Sequence, residues 1–515
     1  MELIKKNIHM DRIKSEAVRQ FTIEDDMNIP ENKPDINNLS MQKGMIVIDE
    51  VKAGNDSVNV RGALRFAILY HTLENGSRLV CLEGRIPFDE KINMQGITVM
   101  DSVEVSGEIE DLTVEIINSR KLSLRVLVTL NAQAEELYDE AAPIGLSGAE
   151  DVEYRRFPVK LAQIAICKND IFRIKDEIQL PQSYPNVYQI LWSDVTLGDV
   201  EFKLLDETIS VQGDVTLFLL YEGEGEERPI RYYETTFPFN GSIECHGCKE
   251  GMLPDIRYKL SQQDVSVKPD LDGEERCVGV ELVMDVKIHV YDEEEIELIT
   301  DVYGVASEVM TDSRAAQLRQ LLLHVTGKNK VTDHIKTTNS SGILQLLHSG
   351  GKVNLDRKEV VEDGLLLQGS LTVDVLYITG DDENPYANVR AEIPFSLTLE
   401  VPGITPDDIY QVSGEVEQLQ VTMLDGEEMD VKAVLSFSTA VFHQIPVAMI
   451  SDVKIGQLNP EIQGALPGMA VYFVKKGDNL WSIGKKYYVP VEKIREVNGL
   501  EADDLNVGQK LLIVR

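Results

Sequence analysis

Hydrophobic and polar positions alternate along most of this chain. In VNVRGALRFAILY (58–70), Val58, Val60, Leu64, Phe66, Ile68 and Tyr70 share one face, and Asn59, Arg61 and Arg65 lie on the other. Period two over this length, rich in β-branched and aromatic residues, predicts a half-buried strand. LSLRVLVTLNA puts Leu122, Leu124, Val126, Val128 and Leu130 on one face. VGVELVMDVKIHV does the same with Val278, Val280, Leu282, Met284, Val286 and Ile288, and DVKAVLSFSTAVF with Val431, Ala433, Leu435, Phe437 and Val441. Acidic, glycine-rich turns follow Tyr70 (LENGSR), Tyr221 (EGEGEERP) and Tyr377 (TGDDENPY). Strands joined in this way predict antiparallel sheets packed as sandwiches. Two segments read differently. MELIKKNIHMDRIKSEAVRQ (1–20) reads as an amphipathic helix, and DSRAAQLRQLLLHV (312–325) as a bridging helix.

The strand pattern is written three times. VNVRGALRFAILY, ISVQGDVTLFLLY (209–221) and LLLQGSLTVDVLY (365–377) each carry a Gly and a Tyr eight places on: Gly62 and Tyr70, Gly213 and Tyr221, Gly369 and Tyr377. Seventeen residues after each Tyr comes Pro-Phe, at Pro87-Phe88, Pro238-Phe239 and Pro394-Phe395. Twenty-six residues before each Gly stands an aliphatic residue with another three places on: Ile36 and Leu39, Val187 and Ile190, Ile343 and Leu346. A Gly inside a strand predicts a bulge or a close backbone approach. Pro, lacking an N–H, opens a strand or lies on an edge strand. The period of about 150 residues is domain-sized. The fold class is therefore mainly β: three tandem antiparallel β-sandwich-like repeats at 1–150, 151–310 and 311–450, a linker at 451–469, and a small module at 470–515. The copies differ in detail. The first two open with Pro-x3-Pro (Pro30 and Pro34, Pro181 and Pro185), and the third with TNSSGILQLL. The second has a longer loop after its Pro-Phe.

Residues 470–515 switch to helical spacing. VYFVKKG supplies a strand, with Val471 and Phe473 on one side. Asp478 or Asn479 can cap a helix through its short polar side chain. Leu480, Ile483 and Tyr487 then recur at helical spacing. Pro490 starts a second helix, with Val491, Ile494 and Val497 as its inner face, and Asn498-Gly499 stops it. NVGQK leads into the strand LLIVR, so the order is βααβ.

The chain has 515 residues and a formal net charge of -37. Such acidity disfavours nucleic acid and anionic lipid, whose binding depends on Lys and Arg neutralising phosphate. Residues 470–515 carry eight Lys/Arg and six Asp/Glu, a charge of +2 that leaves -39 for the rest. Lys475, Lys476, Lys485 and Lys486 flank GDNLWSI, as a solvated face or as a docking patch for an acidic partner. The N-terminus has no apolar run of signal-peptide length, and no run of eighteen apolar residues occurs, so no membrane insertion is expected. Five scattered cysteines fit reduced thiols in a cytosol.

Candidate chemistry is sparse. CHGC (Cys245, His246, Cys248) is one close cysteine pair, placed in the longer loop of copy two, and a zinc site there would need a second ligand pair such as Cys277 and His289. It reads as an incidental loop. The acid runs DEEEIE (292–297) and DGEEMD (425–430) lack calcium-loop spacing and read as solvated turns. No HExxH, nucleophile elbow or phosphate loop occurs, so no catalysis and no cofactor are expected.

The openings DMNIPENKPDI and DEIQLPQSYPNV, the G-x7-Y strand and the later Pro-Phe resemble the SPOCS domain found in bacterial spore coat proteins. GDNLWSI (477–483), the Asn-Gly after the second helix and NVGQKLLIV (506–514) resemble the LysM domain. Three SPOCS repeats followed by LysM resemble the coat-morphogenesis proteins of clostridial spore formers. The LysM resemblance implies a shallow groove for N-acetylglucosamine chains, formed here by Gly477, Asp478, Asn479, Leu480, Asn506, Val507 and Gly508. Trp481 is either a core residue of the first helix or an interface anchor. The full arrangement implies a non-enzymatic adaptor in the mother cell, at the forespore outer surface. Its LysM module would bind the coat's base-layer ATPase, the stage IV sporulation protein A, and its repeats would engage other spore coat proteins. The other reading is a wall protein binding peptidoglycan or an N-acetylglucosamine-containing glycan.

Overall fold

The computed structural model describes residues 2–72, 78–148, 151–225, 228–337, 341–458, 467–500, 502 and 504–515. The turn LENGSR and the segment 451–469 thus lie partly outside the described residues. The first repeat holds β1 (Glu2–Asn28), β2 (Asn38–Ala53), β3 (Ser57–Thr72), β4 (Arg78–Asn93), β5 (Val103–Asn118) and β6 (Lys121–Ser147). The second holds β7 (Val152–Gln179), β8 (Val187–Leu205), β9 (Thr208–Gly223), β10 (Ile230–Glu244), β11 (Leu253–Pro269) and β12 (Glu275–Gly304). The third holds β13 (Ser307–Lys336), β14 (Ile343–Val361), β15 (Gly364–Thr379), β16 (Tyr386–Glu400), β17 (Ile409–Met423) and β18 (Glu428–Gln457). Every pairing is antiparallel. Each repeat contains two three-stranded sheets, in the first β2-β3-β4 and β1-β6-β5, and the others repeat this order. The alternating faces meet between the sheets: Val60, Leu64, Phe66 and Tyr70 pack in one core with Leu122, Leu124 and Val126.

The recurring marks have physical roles. Gly62 pairs with Phe88, Gly213 with Phe239 and Gly369 with Phe395 across edge strands β4, β10 and β16. A Cβ on Gly62 would lie 2.6 Å from the Phe88 ring and 2.5 Å from the Val47 carbonyl oxygen. On Gly369 it would lie 2.0 Å from the Asn354 carbonyl oxygen. The register also slips opposite each Gly, at Ile48/Glu50, Gly198/Glu201 and Leu355/Arg357. Bulge and close approach therefore occur together. The buried Tyr70 hydroxyl donates to the Pro34 carbonyl (2.9 Å), and Tyr221 donates to that of Pro185 (3.2 Å). The third copy, without the proline, pairs Tyr377 Oη with Thr337 Oγ1 at 2.7 Å.

Four expectations need correction. Residues 1–20 are strand, not helix: β1 pairs with β6 along its length and buries Ile8 and Met10 at period two. Residues 312–325 belong to β13, paired with β18. In both, cross-strand backbone pairing and a buried face override helical propensity. The acid run 292–297 is not a turn but part of β12, with Ile296 buried and Glu293, Glu295 and Glu297 exposed. CHGC lies in no longer loop. It occupies the turn filled by Met94–Ile97 and Val401–Ile404 in the other copies, with Gly96, Gly247 and Gly403 all at positive φ. Cys245 and Cys248 take the places of those apolar core residues and are buried. The longer segment in copy two is the later turn at 270–274.

Strands β6, β12 and β18 outrun their sandwiches and, with β1, β7 and β13, form ribbons that meet. Ile8 and Met10, Leu161 and Leu298, and Leu318 and Met449 make one apolar cluster drawn from all three repeats. Leu69, Leu79, Trp192, Phe218, Leu347 and Leu376 make another. Polar seams run beside them. Arg319 Nη1 donates to Asp11 Oδ1 at 2.8 Å, His71 Nε2 to the Tyr386 carbonyl at 3.0 Å, and His348 Nε2 to Asp194 Oδ2 at 3.0 Å. Lys43 Nζ stands 4.7 Å over the Trp192 ring. Each repeat thus touches the other two.

Candidate ligand-binding site

The C-terminal module comprises β19 (Met469–Phe473), α1 (Leu480–Tyr487), α2 (Val491–Asn498) and β20 (Lys510–Val514). Asn479, not Asp478, caps α1: its side chain accepts from Ser482 N at 2.8 Å, and Asn479 N donates to Ser482 Oγ at 3.1 Å. This reciprocal box satisfies two free donors of the first turn. Tyr472, Val474, Leu480, Ile483, Ile494, Leu511 and Ile513 form the core. Val471, Phe473 and Val497 face outward, so the expected inner face of α2 reduces to Val491 and Ile494. Asn498 does more than stop α2. Its amide donates to Ile494 O and Leu512 O and accepts from Leu512 N, which ties the helix to β20.

Val474 brings the two loops together. Its N–H donates to Gln509 O (2.9 Å) and its carbonyl accepts from Gly508 N (2.8 Å). Gly477 and Gly508 hold φ of 91° and 86°, a conformation that disfavours side chains. Asp478 Oδ2 accepts from Lys475 N and from Tyr472 Oη, both at 2.7 Å. Those donors, the backbone one first, hold its carboxyl below the usual range. Gly477, Asn479, Asn506, Val507 and Gly508 are exposed, and Val507 keeps 70% of its surface. Leu480 is buried and supports the loops from beneath. The arrangement offers backbone polar groups, two amides and one apolar side chain on an open surface. Such a surface suits acetamido groups and sugar faces, or a peptide segment.

Trp481 does not face this surface. Its Nε1 donates to Asp301 Oδ2 on β12 at 2.7 Å, and its ring meets Tyr303 edge-on at 4.8 Å. Lys485 Nζ bonds the other Asp301 oxygen at 2.6 Å. Tyr303 Oη donates to the Val489 carbonyl at 2.8 Å and fills the space beside Gly484. A bulge between Ile299 and Asp301 re-aims the Asp301 side chain. Burial works against ionising Asp301, but hydrogen bonds from Lys485 and Trp481 outweigh it and lower its pKa. The module is therefore docked on the end of the second repeat's ribbon. The alternation in ELITDVYG could have marked Asp301 and Tyr303 as outlying strand residues, but nothing local points to their partner. Lys485 is committed to this contact, and Lys475 and Lys476 remain exposed beside the loops.

Comparison with known proteins agrees with this architecture. Residues 35–117, 186–268 and 342–424 match the family described as SipL, SPOCS domain, and residues 472–514 match the LysM domain. The chain thus carries three repeats that match the SipL SPOCS domain, followed by a C-terminal LysM domain. Among curated proteins it is similar to the probable peptidoglycan endopeptidase LytE of Bacillus subtilis (strain 168), with 50% identity over 40 residues, 8% of this chain and 12% of that protein. It is also similar to the uncharacterized protein YkzQ of the same organism, with 40% identity over 43 residues, 8% of this chain and 57% of that protein. The chain thus spans less than two thirds of either relative. No solved structure matches it. SPOCS and LysM domains are non-catalytic binding modules, and the SPOCS match fits a spore-associated location. Among the described residues, no helix is long and apolar enough to cross a membrane.

Proposed function

We propose that this protein is a non-enzymatic assembly adaptor of the spore coat. Its LysM module holds a stage IV sporulation protein A-type coat ATPase and so tethers the three-repeat body at the forespore surface, in the mother cell. The body presents other coat proteins. The observation that carries this reading is the mounting of the module. Trp481 and Lys485 fix it to Asp301 while Gly477, Asn479, Asn506, Val507 and Gly508 remain exposed. A ligand on those loops is held at a defined place on a large body, which is what an adaptor requires. Lys475 and Lys476 beside the loops suit an acidic patch on a protein partner. In this reading the loops contact the ligand, and Trp481 positions the module.

A second reading, an N-acetylglucosamine-containing glycan as ligand, is favoured by the open loop geometry and by the similarity to a peptidoglycan endopeptidase. Titration of the full chain against the purified ATPase and against chitin oligomers separates the two. The expected result is saturable ATPase binding that Val507→Asp removes, with no saturable sugar binding. Saturable sugar binding without ATPase binding would overturn the proposal.

A further inference from the structure

The seam between the first and second repeats brings together three side chains with metal-binding chemistry. Glu135 comes from β6, Cys167 from β7 and His289 from β12, and their ligand atoms all lie within 4.8 Å of one another. Cys167 and His289 are direct cross-strand partners, so their side chains leave the same face of the ribbon. Glu135 reaches them from the neighbouring repeat. His289 is 2% exposed, and its Nε2 stands 3.2 Å from Glu135 Oε2. That nitrogen nevertheless makes no hydrogen bond of good geometry among the described residues. The distance is close to an edge of a tetrahedral zinc site, where ligand bonds run about 2.0–2.3 Å.

We propose that Glu135, Cys167 and His289 bind a divalent transition-metal ion of the zinc class, which staples the first two repeats together. The donor set is one thiolate, one imidazole and one carboxylate. That mixture selects zinc-like ions over magnesium or calcium, which take oxygen ligands. Binding replaces protons: the Cys167 thiol and the His289 imidazolium beside Glu135 each release one to solvent, so sulfur binds as thiolate and His289 as the neutral imidazole.

The surroundings are prepared for this. Lys287 Nζ holds the other Glu135 oxygen at 2.6 Å, which leaves Oε2 turned toward His289. The same ammonium bonds Glu104 Oε2 at 2.7 Å. With Cys167 as thiolate, the carboxylates of Glu104 and Glu135 and the thiolate outweigh the one lysine, so the local charge attracts a dication. Cys167 is exposed and also lines a cleft of about 510 Å³ with Leu137, Tyr138 and Ile164, which gives an ion a way in. The fourth coordination position would be open to water or to a partner's side chain. The buried pair Cys245 and Cys248 has no part in this site, because those cysteines belong to the core of the second repeat.

The test uses the full chain, stripped with chelator and titrated with Co2+ as a spectroscopic stand-in for zinc. One equivalent should give the thiolate-to-metal charge-transfer band and the visible bands of tetrahedral Co2+, and Zn2+ should displace it. Cys167→Ser, at an exposed position that should not disturb folding, should abolish the charge-transfer band, and Glu135→Gln should weaken Co2+ binding at least tenfold. Cys245→Ser/Cys248→Ser should leave the band unchanged. Absence of a band in the wild-type chain, or its survival in Cys167→Ser, would overturn the proposal.

Discussion

The three-repeat body and the LysM module are built on different scales. The body is held by strands that pair across large sequence distances, such as β1 with β6, and by apolar clusters to which every repeat contributes. The module is held by neighbours: a capping box within α1 and Asn498 bonding β20 fourteen residues on. One is joined to the other by a small polar and aromatic contact around Asp301 and Tyr303. The body therefore resists change as a unit, whereas the module's placement rests on a few side chains.

The sharpest way to break this contrast is at a strand glycine. A Cβ on Gly62 meets the Val47 carbonyl and the Phe88 ring at distances no side chain tolerates, and both neighbours sit in a packed sheet. Gly62→Ala should destabilise the body by about 3 kcal/mol, read as a fall in the denaturant midpoint. Gly426→Ala, where a Cβ meets nothing, is the control and should change it little. If Gly62→Ala also loosened the module's own fold, the two regions would not be independent.

Next in size is the joint. Trp481→Ala removes a hydrogen bond to a carboxylate and an edge-on ring contact, together worth about 2 kcal/mol of docking. Hydrogen exchange should show faster exchange around Tyr303 and Val489 while the strands of the body keep their protection. Unchanged exchange there would mean that Asp301 and Tyr303 do not hold the module.

A smaller change compares the repeats with each other. Tyr221→Phe leaves the Pro185 carbonyl without its hydroxyl donor and should cost about 1 kcal/mol. Tyr377→Phe should cost less, because Thr337 can turn its hydroxyl elsewhere whereas a backbone carbonyl cannot move. Equal losses in urea unfolding would show that the proline carbonyl is not a special partner.

How much of this was legible depends on the range of the forces involved. The sandwich strands were readable because their alternation is local and written three times, and the module because its caps and helical spacing lie within a few residues. Residues 1–20 of the β1 region and 312–325 of β13 look helical in the sequence alone. RIKSEAVRQ and RAAQLRQLLL are rich in helix formers, and only their distant partners β6 and β18 decide otherwise. The loops at 477–479 and 506–508 could be placed from motif positions. That Trp481 turns to Asp301, 180 residues away, leaves no mark near either residue.

The smallest expected effect is a pH response that separates the two regions by sign. His348 of the third repeat lies against Asp194 and Glu234 of the second, with its ring stacked on Phe218 at 4.1 Å, and Lys43 Nζ is 3.9 Å from Asp194. Burial favours the neutral imidazole, but the hydrogen bonds and charges of Asp194 and Glu234 outweigh it and raise the His348 pKa. A raised histidine pKa contributes stability that is complete below the unfolded value of about 6.5 and is lost as pH rises through the folded value. Asp301 has the opposite sign. Its lowered pKa makes the docking contribution complete above about 3.8 and lost as pH falls through the folded value. Raising pH from neutral should therefore weaken the packing of the body and leave the module docked, whereas acid should release the module. Thermal unfolding of wild type and His348→Gln across neutral to alkaline pH checks the first half: the difference between them should shrink as pH rises. A difference that stayed constant would mean that the imidazole's charge adds nothing to the seam, and that its stacking on Phe218 alone accounts for its place there.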